Sequence, residues 1–387
     1  MSELVLGESL ELLVDNRGKN PPFVSSGIPV LSAKAIKNGR ISFKDVRYIS
    51  EGTYVRWMPK PLQRFDVILT SEAPLGECAL VTGDEPLAIA QRLYALRGKA
   101  GVLDSRYLYY AMQCEAVQTD LHNRASGTTV SGIRQPELLK VRIPDPGYMQ
   151  QKAIAAVLGA LDDKIAVNER IARVADELSS ELFRQALLTS PDRFTEQALS
   201  DTAEFINGRA FTKDASGTGR MVIRIAEINS GPGASTVYND IEVPDKHLAR
   251  PGDVLFAWSG SLTVARWYRP EAIINQHIFK CVPKSELPDW LISQLLHKKI
   301  DEFRAIAADK ATTMGHIQRK HLDEPVGVPE PEELVSLDSR MGPLWRRALL
   351  AERESLTLAT LRDTLLPQLM SGRLRVKDAE KIVEDAT

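Results

Sequence analysis

The apolar residues between Gln150 and Leu188 recur at alternating steps of three and four positions, and the stretch contains no proline. This spacing places the apolar side chains along one face of an α-helix. At about 1.5 Å per residue, a helix of this length extends for on the order of 50 Å, which is typical of a coiled coil and exceeds most helices of globular domains. The pattern therefore predicts a long helix that pairs with another helix.

The stretch from Leu334 to Leu366 has the same spacing, and Pro367 is expected to end its helix. Two such helices in one chain most economically pair with each other, which predicts an antiparallel coiled coil. The positions expected in the seam are Leu158, Leu161, Ile165, Asn168, Leu178 and Leu182 of the first helix and Leu337, Met341, Leu344, Leu358 and Leu365 of the second.

Small and polar residues interrupt this seam. Ala348, Ala351 and Ser355 leave little apolar surface to bury. Asn168 places an amide on the stripe, where a polar residue fixes the register of a coiled coil rather than adding stability. We therefore expect helices of a partner protein to complete the bundle.

Short β-like runs separated by glycines predict a mixed, strand-rich domain over residues 1–147, before the first long helix at 148–190. Residues 191–331 repeat this plan before the second long helix at 332–371, because four landmarks recur in order at nearly constant offsets. The fold class is therefore α+β, with two mixed α/β domains in tandem, each followed by a long helix. Residues 372–387 form a charged tail that we expect to fray. The matched landmarks are Asp66 with Asp253, Gln91 with Gln276, Thr128 with Thr312, and Val141 with Val326.

The composition excludes several classes of protein. The 387 residues carry a formal net charge of −2, which does not indicate nucleic acid, although acidic helices can offset basic surfaces. We find no cationic leader and no run of about 18 apolar residues, so a cytoplasmic protein without a membrane segment is expected. The three cysteines and six histidines lack the spacing of metal ligands, so no metal site is predicted.

Four features resemble the DNA-specificity (S) subunits of type I restriction-modification systems, and the resemblance covers essentially the whole chain. The junction and C-terminal motifs carry most of its specificity, because the domain interiors are less characteristic. The features are GIPVLSAKAI from Gly27, RIPDPGYMQQKAIAAVLGALDDKIAVNERI from Arg142, the paired threonines of the two repeats, and LRDTLLPQLMSGRLRV from Leu361.

This resemblance implies a non-catalytic DNA-recognition subunit with two target-recognition domains, each reading one half of a split site in double-stranded DNA. It also implies that the two helices set the separation of the domains and dock two adenine-N6 methyltransferase (M) subunits, which motor-nuclease (R) subunits can join. S-adenosylmethionine and ATP would then belong to those partners, and this chain would bind no cofactor.

A rigid spacer of about 50 Å would hold the domains more than one DNA turn of about 34 Å apart. The resemblance and this length together predict a bipartite site with a fixed gap. Because the two domains differ in sequence, the two half-sites are expected to differ as well.

Both domains contain clusters of lysine and arginine, which supply the sequence-independent share of DNA affinity through the phosphates. A solvated loop surface is the alternative interpretation, and both stay open. The candidates are Lys34, Lys37, Arg40, Lys44 and Arg47 in the first domain and Arg209, Lys213, Arg220 and Arg224 in the second.

Arg92 and His277, which follow the aligned Gln91 and Gln276, are candidates for reading bases. Glutamine can pair with adenine, and arginine with guanine. However, a glutamine shared by two domains with different targets is better suited to a structural role. The divergent Arg92 and His277 are therefore the stronger candidates.

The loops at 127–134 and 312–319 offer hydroxyls, backbone donors and a basic residue, which suit a phosphate. Threonines also cap helices, so the two interpretations are equally open. The candidates are Thr128, Thr129 and Arg134 in the first loop and Thr312 and Thr313 in the second.

Asn20-Pro21-Pro22-Phe23 matches the catalytic tetrapeptide of DNA adenine-N6 methyltransferases, whose aromatic ring stacks on a flipped base. Such an enzyme also needs a strand followed by a glycine-rich cofactor turn, and we find none before or after the motif. We therefore interpret the tetrapeptide as a proline-stiffened loop. The alternative functions are a self-sufficient adenine methyltransferase and a tandem protein-binding scaffold that does not bind DNA.

Overall fold

The computed structural model describes residues 2–16, 18, 20–127, 130–309 and 315–386. The chain divides into two compact units. Unit 1 comprises Met1–Asp163 and Leu358–Thr387, and unit 2 comprises Lys164–Thr357. Both long helices pass through this division, so each unit contains a section of each helix.

The first repeat combines short strands with short helices and lies in unit 1. In chain order its elements are β1 (Ser2–Val5), α1 (Leu6–Ser9), β2 (Leu10–Asp15), β3 (Ile28–Leu31), β4 (Ile36–Lys37), β5 (Arg40–Ile41), β6 (Arg47–Ile49), α2 (Glu51–Trp57), β7 (Val67–Ser71), β8 (Leu75–Leu80), β9 (Ala88–Ile89), β10 (Leu93–Gly98), α3 (Ser105–Met112), α4 (Glu115–Asn123), α5 (Gln135–Leu138) and β11 (Arg142–Asp145), followed by the long helix α6 (Tyr148–Thr189).

The main sheet of the first repeat is antiparallel, with the strand order β2-β10-β7-β8. A second sheet has the order β6-β3-β9, in which β3 and β9 run parallel. Strand β1 pairs with β11 and so joins the start of the repeat to the segment that leads into α6. All five residues of β7 are buried, because this central strand packs against α3.

The second repeat lies in unit 2 and begins after α6. Its elements are β12 (Phe194–Ala198), α7 (Leu199–Thr202), β13 (Ala203–Asn207), β14 (Arg220–Ile223), α8 (Ile225–Ser230), β15 (Val237–Asn239), β16 (Leu248–Ala249), β17 (Val254–Ala257), β18 (Thr263–Arg266), β19 (Ala272–Ile274), β20 (Ile278–Pro283), α9 (Asp289–Asp309) and β21 (Pro325–Pro329), followed by the long helix α10 (Pro331–Met370) and by α11 (Val376–Ala386).

The sheets of the second repeat reproduce those of the first. The main antiparallel sheet has the order β13-β20-β17-β18, the second sheet has the order β15-β14-β19-β16, and β12 pairs with β21. The matched Asp66 and Asp253 also make equivalent contacts. Each accepts a hydrogen bond from the backbone N–H three residues earlier, at 2.8 and 2.6 Å, and each forms an ion pair with a cation of the adjacent strand. The predicted fold class of tandem mixed domains, each followed by a long helix, is confirmed.

Helix α10 continues through Pro367, so the prediction that this proline ends the helix was wrong. A proline lacks an N–H, so it costs the helix one hydrogen bond without preventing later residues from bonding. The Ser371 N–H donates to the Pro367 carbonyl at 3.1 Å. The chain turns away at Gly372, whose φ of 71° lies in the left-handed region that glycine adopts easily.

The two long helices pack antiparallel within unit 2. Lys164 of α6 forms an ion pair with Glu354 of α10 at 3.3 Å. Further along α6, Phe183 shares a core cluster with Leu337 and Met341 from the beginning of α10. Between these points the buried apolar residues of the seam are alanines, namely Ala172 and Ala175 of α6 and Ala348 and Ala351 of α10. In unit 1, Arg362 of α10 donates to Asp162 of α6 at 2.6 Å.

The prediction that Leu178 lies in the seam was wrong. Leu178 is 46% exposed, whereas its neighbour Ser179 is buried. The predicted stripe follows the large apolar side chains, but the heptad spacing continues through small residues and therefore lies one position away. The predicted positions that are fully or largely buried are Leu158, Leu161, Ile165, Asn168, Leu337, Met341, Leu358 and Leu365, and those that are partly buried are Leu182 and Leu344.

The C-terminal tail forms helix α11, so the expectation that it frays was wrong. Ala379 is fully buried, and Arg375 forms an ion pair with Asp378 at 2.8 Å in the first turn. A small apolar face and this local pair stabilise a segment whose mixed charge suggested disorder. Among the described residues, no helix combines the length and the apolar character that crossing a bilayer requires.

Candidate nucleic-acid interface

Arg92 and His277 occupy equivalent turns in the two units. Arg92 lies between β9 and β10 with a φ of 67°, and His277 lies between β19 and β20 with a φ of 72°. Both values fall in the left-handed region, which costs a residue with a side chain about 1 to 3 kcal/mol. Both residues are exposed. A strained backbone at matching positions indicates that the fold holds these two side chains in a set direction.

Two neighbouring segments fix the turn in unit 1. The Ser71 N–H, at the end of β7, donates to the Arg92 carbonyl at 2.9 Å. The Ile133 N–H, in the loop before α5, donates to the Ser71 carbonyl at 2.9 Å. The buried Tyr94 hydroxyl donates to the Ile133 carbonyl at 3.0 Å and holds this loop against the sheet. The end of β7, the Arg92 turn and the loop before α5 therefore meet at one place.

Unit 2 builds the same junction from equivalent residues. The Trp258 N–H, just after β17, donates to the His277 carbonyl at 3.1 Å, and the Ile317 N–H donates to the Trp258 carbonyl at 3.2 Å. Ser259 forms an isolated antiparallel bridge with His316, as Glu72 does with Gly132 in unit 1. The two units therefore present one backbone arrangement with different side chains.

The junction of unit 1 borders a cleft of about 440 Å³ whose lining includes charged and polar side chains. The Arg92 Nε lies 2.9 Å from the Glu72 Oε1, and the two side chains are 53% and 39% exposed. Arg134, which is exposed, and Ser126 also line the cleft. The cleft therefore offers donors and an acceptor to a polar ligand.

The junction of unit 2 is aromatic instead. The Trp258 ring lies 5.0 Å from the His277 ring and 6.3 Å from the His316 ring, edge to face in both cases. The Trp258 Nε1 donates to the Asn207 Oδ1 at 2.8 Å. The Arg209 carbonyl accepts a hydrogen bond from the Gln276 N–H at 2.9 Å, which brings Arg209 beside this turn. Aromatic and imidazole groups thus replace the ion pair of unit 1.

His247 lies behind the Arg209 segment, with its ring 5.7 Å from the Phe211 ring. It is buried, and neither ring nitrogen has a hydrogen-bond partner among the described residues. Burial lowers the pKa of His247, and the nearby Arg209 and Lys246 lower it further. The exposed cations near this histidine are Arg209 and Lys213.

Residues 18–175 match the family model described as the type I restriction modification DNA specificity domain. This match covers the first repeat and the first part of α6. The chain is 21% identical to the type I restriction enzyme MjaIX specificity subunit of Methanocaldococcus jannaschii, over 91% of this chain and 88% of that protein. The MjaVIII specificity subunit of the same organism is 26% identical over 39% of this chain and 37% of its own length.

A solved structure shows the same fold. The type I restriction-modification system S subunit from M. genitalium superposes with a TM-score of 0.58 over 95% of each chain, at 14% sequence identity. The chain is therefore similar to type I restriction-modification specificity subunits in sequence and in fold.

The phosphate contacts predicted in the first repeat lie on exposed surfaces of unit 1. Lys34 lies in a short 3₁₀ turn, Lys37 and Arg40 lie on the β4–β5 hairpin, and Arg47 lies on β6. All of them are exposed, as is Lys44. The position of these cations suits phosphates, and their contact with DNA stays a prediction.

Two arginines of unit 2 already have partners within the chain. Arg220 contacts Glu271 at 3.2 Å and donates to the Ile241 carbonyl at 2.8 Å. Arg224 pairs with the buried Glu227 at 2.6 Å at the start of α8. Arg209 and Lys213 are therefore better placed than Arg220 to meet a phosphate. The predicted Thr128, Thr129, Thr312 and Thr313 lie outside the described residues.

The NPPF tetrapeptide has its aromatic ring covered. The Arg47 guanidinium carbon lies 3.6 Å from the centroid of the Phe23 ring, and Phe23 packs against the core of the first repeat. Pro21 is buried, while Asn20 is exposed. A ring in this position supports the loop, which agrees with its interpretation as a proline-stiffened turn.

No cysteine has the environment of a nucleophile or a metal ligand in the part of the chain that the structure describes. Burial raises the pKa of Cys78 and of Cys114 to about 12, so both thiols stay protonated. Residues 2–16, 18, 20–127, 130–309 and 315–386 contain no group of three histidine, cysteine or carboxylate side chains that could hold a metal ion.

Sequence reasoning missed Glu72, Trp258 and Asn207. Trp258 and Ser71 occupy matching places in the aligned motifs RPGDVLFAWS and RFDVILTS, and Glu72 follows directly. The sequence therefore contained a signal for two of these residues. Trp258 and Glu72 both lie where the two aligned motifs differ in sequence. Asn207 carries no such signal, because only the fold brings it to Trp258.

Proposed function

We propose that this chain is a non-catalytic specificity subunit of a type I restriction-modification system, and that each of its units reads one half of an asymmetric, bipartite site in double-stranded DNA. The observation that carries the proposal is the pair of equivalent junctions with unlike side chains. Arg92 lies beside Glu72 in unit 1, and His277 lies beside Trp258 in unit 2. A shared backbone would approach DNA in the same way, while different side chains would select different bases.

Exposed cations near the junctions would supply the phosphate contacts. Arg134 lines the unit 1 cleft, and Arg209 adjoins the His277 turn. Lysine and arginine side chains that displace counterions from DNA give an affinity that falls as salt rises. These contacts would set the position of each unit on the duplex and leave the choice of sequence to the base-reading residues.

The long helices would hold the half-sites at a fixed gap and dock two M subunits. Apolar side chains on the surface of α6 support a helical partner, because Val167, Val174 and Leu178 are all exposed in the isolated chain. R subunits would join the resulting complex. S-adenosylmethionine and ATP would be bound by these partners rather than by this chain.

The test is to co-express this chain with its M subunit and to map N6-methyladenine across genomic DNA. The proposal predicts a split, asymmetric motif with a constant gap, and no motif methylation from either protein alone. An Asn20→Ala complex is the matched control, and it should methylate the same motif at the same level.

Three results would contradict the proposal. A continuous or palindromic motif would show that the units do not read two different half-sites. An unchanged motif when this chain is omitted would show that the M subunit supplies the specificity. Loss of methylation in the Asn20→Ala complex would assign the tetrapeptide a role in the reaction.

A further inference from the structure

The Arg92–Glu72 pair combines hydrogen-bond donors with an acceptor at the edge of an open cleft. Glu72 approaches the Nε side of the guanidinium at 2.9 Å. Among the described residues, the two terminal nitrogens of Arg92 donate no hydrogen bond. Within the described part of the chain, Glu72 therefore engages the Nε of Arg92, and no other acceptor competes for the terminal nitrogens.

The backbone gives this pair little freedom. The carbonyl of Arg92 is bonded to the Ser71 N–H, and Glu72 follows Ser71 directly. Gly132 pairs with Glu72 in an antiparallel bridge, and a Cβ on Gly132 would lie 3.0 Å from the Cβ of Glu72. The loop can approach Glu72 this closely because position 132 has no side chain. Both charged groups are therefore mounted on fixed segments.

Only one base matches the free end of this guanidinium. In the major groove guanine presents two adjacent acceptors, N7 and O6, whereas adenine presents one acceptor beside a donor. A guanidinium donates through two parallel N–H groups, so its preferred base is guanine. The neighbouring carboxylate can accept from the N4 amino group of cytosine, which completes the pattern of a G·C base pair.

A phosphate is a poorer ligand for the same site. The Glu72 carboxylate lies within 3 Å of the guanidinium and would repel a phosphate that approached Arg92. A base edge has no net charge and includes a donor that a carboxylate can accept. The acidic partner therefore favours base reading over backbone contact.

We infer that Arg92 reads a guanine and that Glu72 is its positioning residue, so the half-site read by unit 1 contains a G·C base pair at this point. The inference rests on the proposed function and deepens it. Unit 2 cannot read the same base pair in this way, because His277 and Ser259 occupy the equivalent positions.

The experiment is motif mapping of N6-methyladenine with the complete complex of this chain and its M subunit. Four variants are compared with the wild type: Arg92→Ala, Arg92→Lys, Glu72→Gln and His277→Ala. The His277→Ala complex is the matched control, because it alters the equivalent turn in the other unit.

Arg92→Ala is expected to lose the guanine preference at one position of one half-site, by about 5- to 150-fold in discrimination. The other half-site should stay unchanged, which shows that the variant is folded. Glu72→Gln should weaken the preference at the same position without changing the preferred base, and Arg92→Lys should restore part of it. His277→Ala should relax the opposite half-site only.

Three results would overturn the inference. An unchanged motif in Arg92→Ala, with a uniform loss of affinity and a shallower salt dependence, would assign Arg92 to a phosphate. Relaxation at an A·T position would assign it to a different base. Relaxation of the same half-site by Arg92→Ala and His277→Ala would show that the two turns do not serve separate half-sites.

Failure of the proposed function can be distinguished from failure of this inference. If the proposed function is wrong, the wild-type complex itself gives no split motif, and the inference fails with it. If the Arg92→Ala complex methylates too weakly to define a motif, its binding preference is measured by competition between two oligonucleotide duplexes. These differ only in whether the guanine is present. The wild type should prefer the guanine duplex and the variant should bind both equally; an intact preference in the variant would overturn the inference.

Discussion

Asn168 is fully buried in the helix seam of unit 2, and neither its amide nitrogen nor its oxygen has a hydrogen-bond partner among the described residues. Leaving such groups unpaired costs about 1 to 3 kcal/mol. Its neighbours in the seam are small, since Ala172 and Ala175 follow at the next heptad positions. The side chain therefore lowers stability, and it can specify the register at which the helices pair.

Replacing Asn168 with leucine is expected to stabilise the chain by about 1 to 2 kcal/mol, because an unpaired buried amide becomes apolar. Urea denaturation of the purified chain measures the change. Ser355→Ala is the companion variant, because the buried Ser355 hydroxyl also lacks a partner among the described residues. A clear loss of stability in Asn168→Leu would mean that the amide has a partner, such as a bound water.

At the junctions, the sequence identified Arg92 and His277 because both follow a glutamine that recurs in the two repeats. It did not identify Glu72, because pairing across strands is a property of the fold. The strained φ of both turns was also not predictable, since nothing in either side chain favours the left-handed region. The sequence could therefore suggest single residues such as Arg92, whereas the contact between Arg92 and Glu72 became visible only in the structure.

Among the elements, strand β18 is joined to both long helices within unit 2. The Arg266 side chain is 4% exposed and donates to Glu352 of α10 at 2.8 Å and to Asp176 of α6 at 3.1 Å. Its guanidinium carbon also lies 4.5 Å from the centroid of the Trp345 ring. Burial raises the pKa of Glu352, and Arg266 opposes this rise. One cation therefore contacts two carboxylates at the point where a strand meets two helices.

Arg266→Met is expected to destabilise the chain by about 3 kcal/mol at pH 8, because Glu352 is left buried without its cation. Without Arg266, the folded-state pKa of Glu352 rises further above its unfolded value. Stability should therefore be greatest at low pH and decline as pH rises through that folded-state pKa. Denaturation at pH 5 and pH 8 measures this, with the smaller loss at pH 5.

Arg250→Met is the matched control in the same unit. Arg250 pairs with Asp245 and Glu271 at an exposed position, so its loss should cost much less stability than the loss of Arg266 at either pH. Equal losses in the two variants would show that the buried cation has no special part in joining β18 to the helices.

The long helices also show where sequence periodicity succeeds and where it fails. Their existence and pairing followed from the spacing of apolar residues, and α10 was predicted almost position by position. In α6, Leu178 was predicted to lie in the seam because leucine is more apolar than serine. The heptad spacing in fact continues through the buried Ser179. Small residues can occupy a seam when the helices pack closely, and hydrophobicity alone does not reveal this.

For the whole molecule, the duplication is the central feature. Each unit contains one repeat together with sections of both helices, and the division crosses α6 after Asp163 and α10 after Thr357. Lengthening both helices at this division would add to the spacer without altering either repeat. The proposed function then makes a direct claim, which is that the helices set the gap and the repeats set the half-sites.

The measurement that tests this claim most directly is the methylation motif of a complex in which Leu161–Val167 of α6 and Leu358–Thr364 of α10 are both duplicated. Seven residues preserve the heptad register and add about 10 Å to each helix. Since base pairs rise by about 3.4 Å, the gap should widen by up to about three base pairs. Both half-sites should stay the same.

The control is a variant in which a copy of Leu161–Val167 is inserted after the exposed Gly233. Its gap should equal that of the wild type. A wider, constant gap between unchanged half-sites in the helix variant alone is the result that we predict. An unchanged gap in an active helix variant would contradict the role of the helices as the spacer. Altered half-sites would contradict the assignment of sequence reading to the repeats.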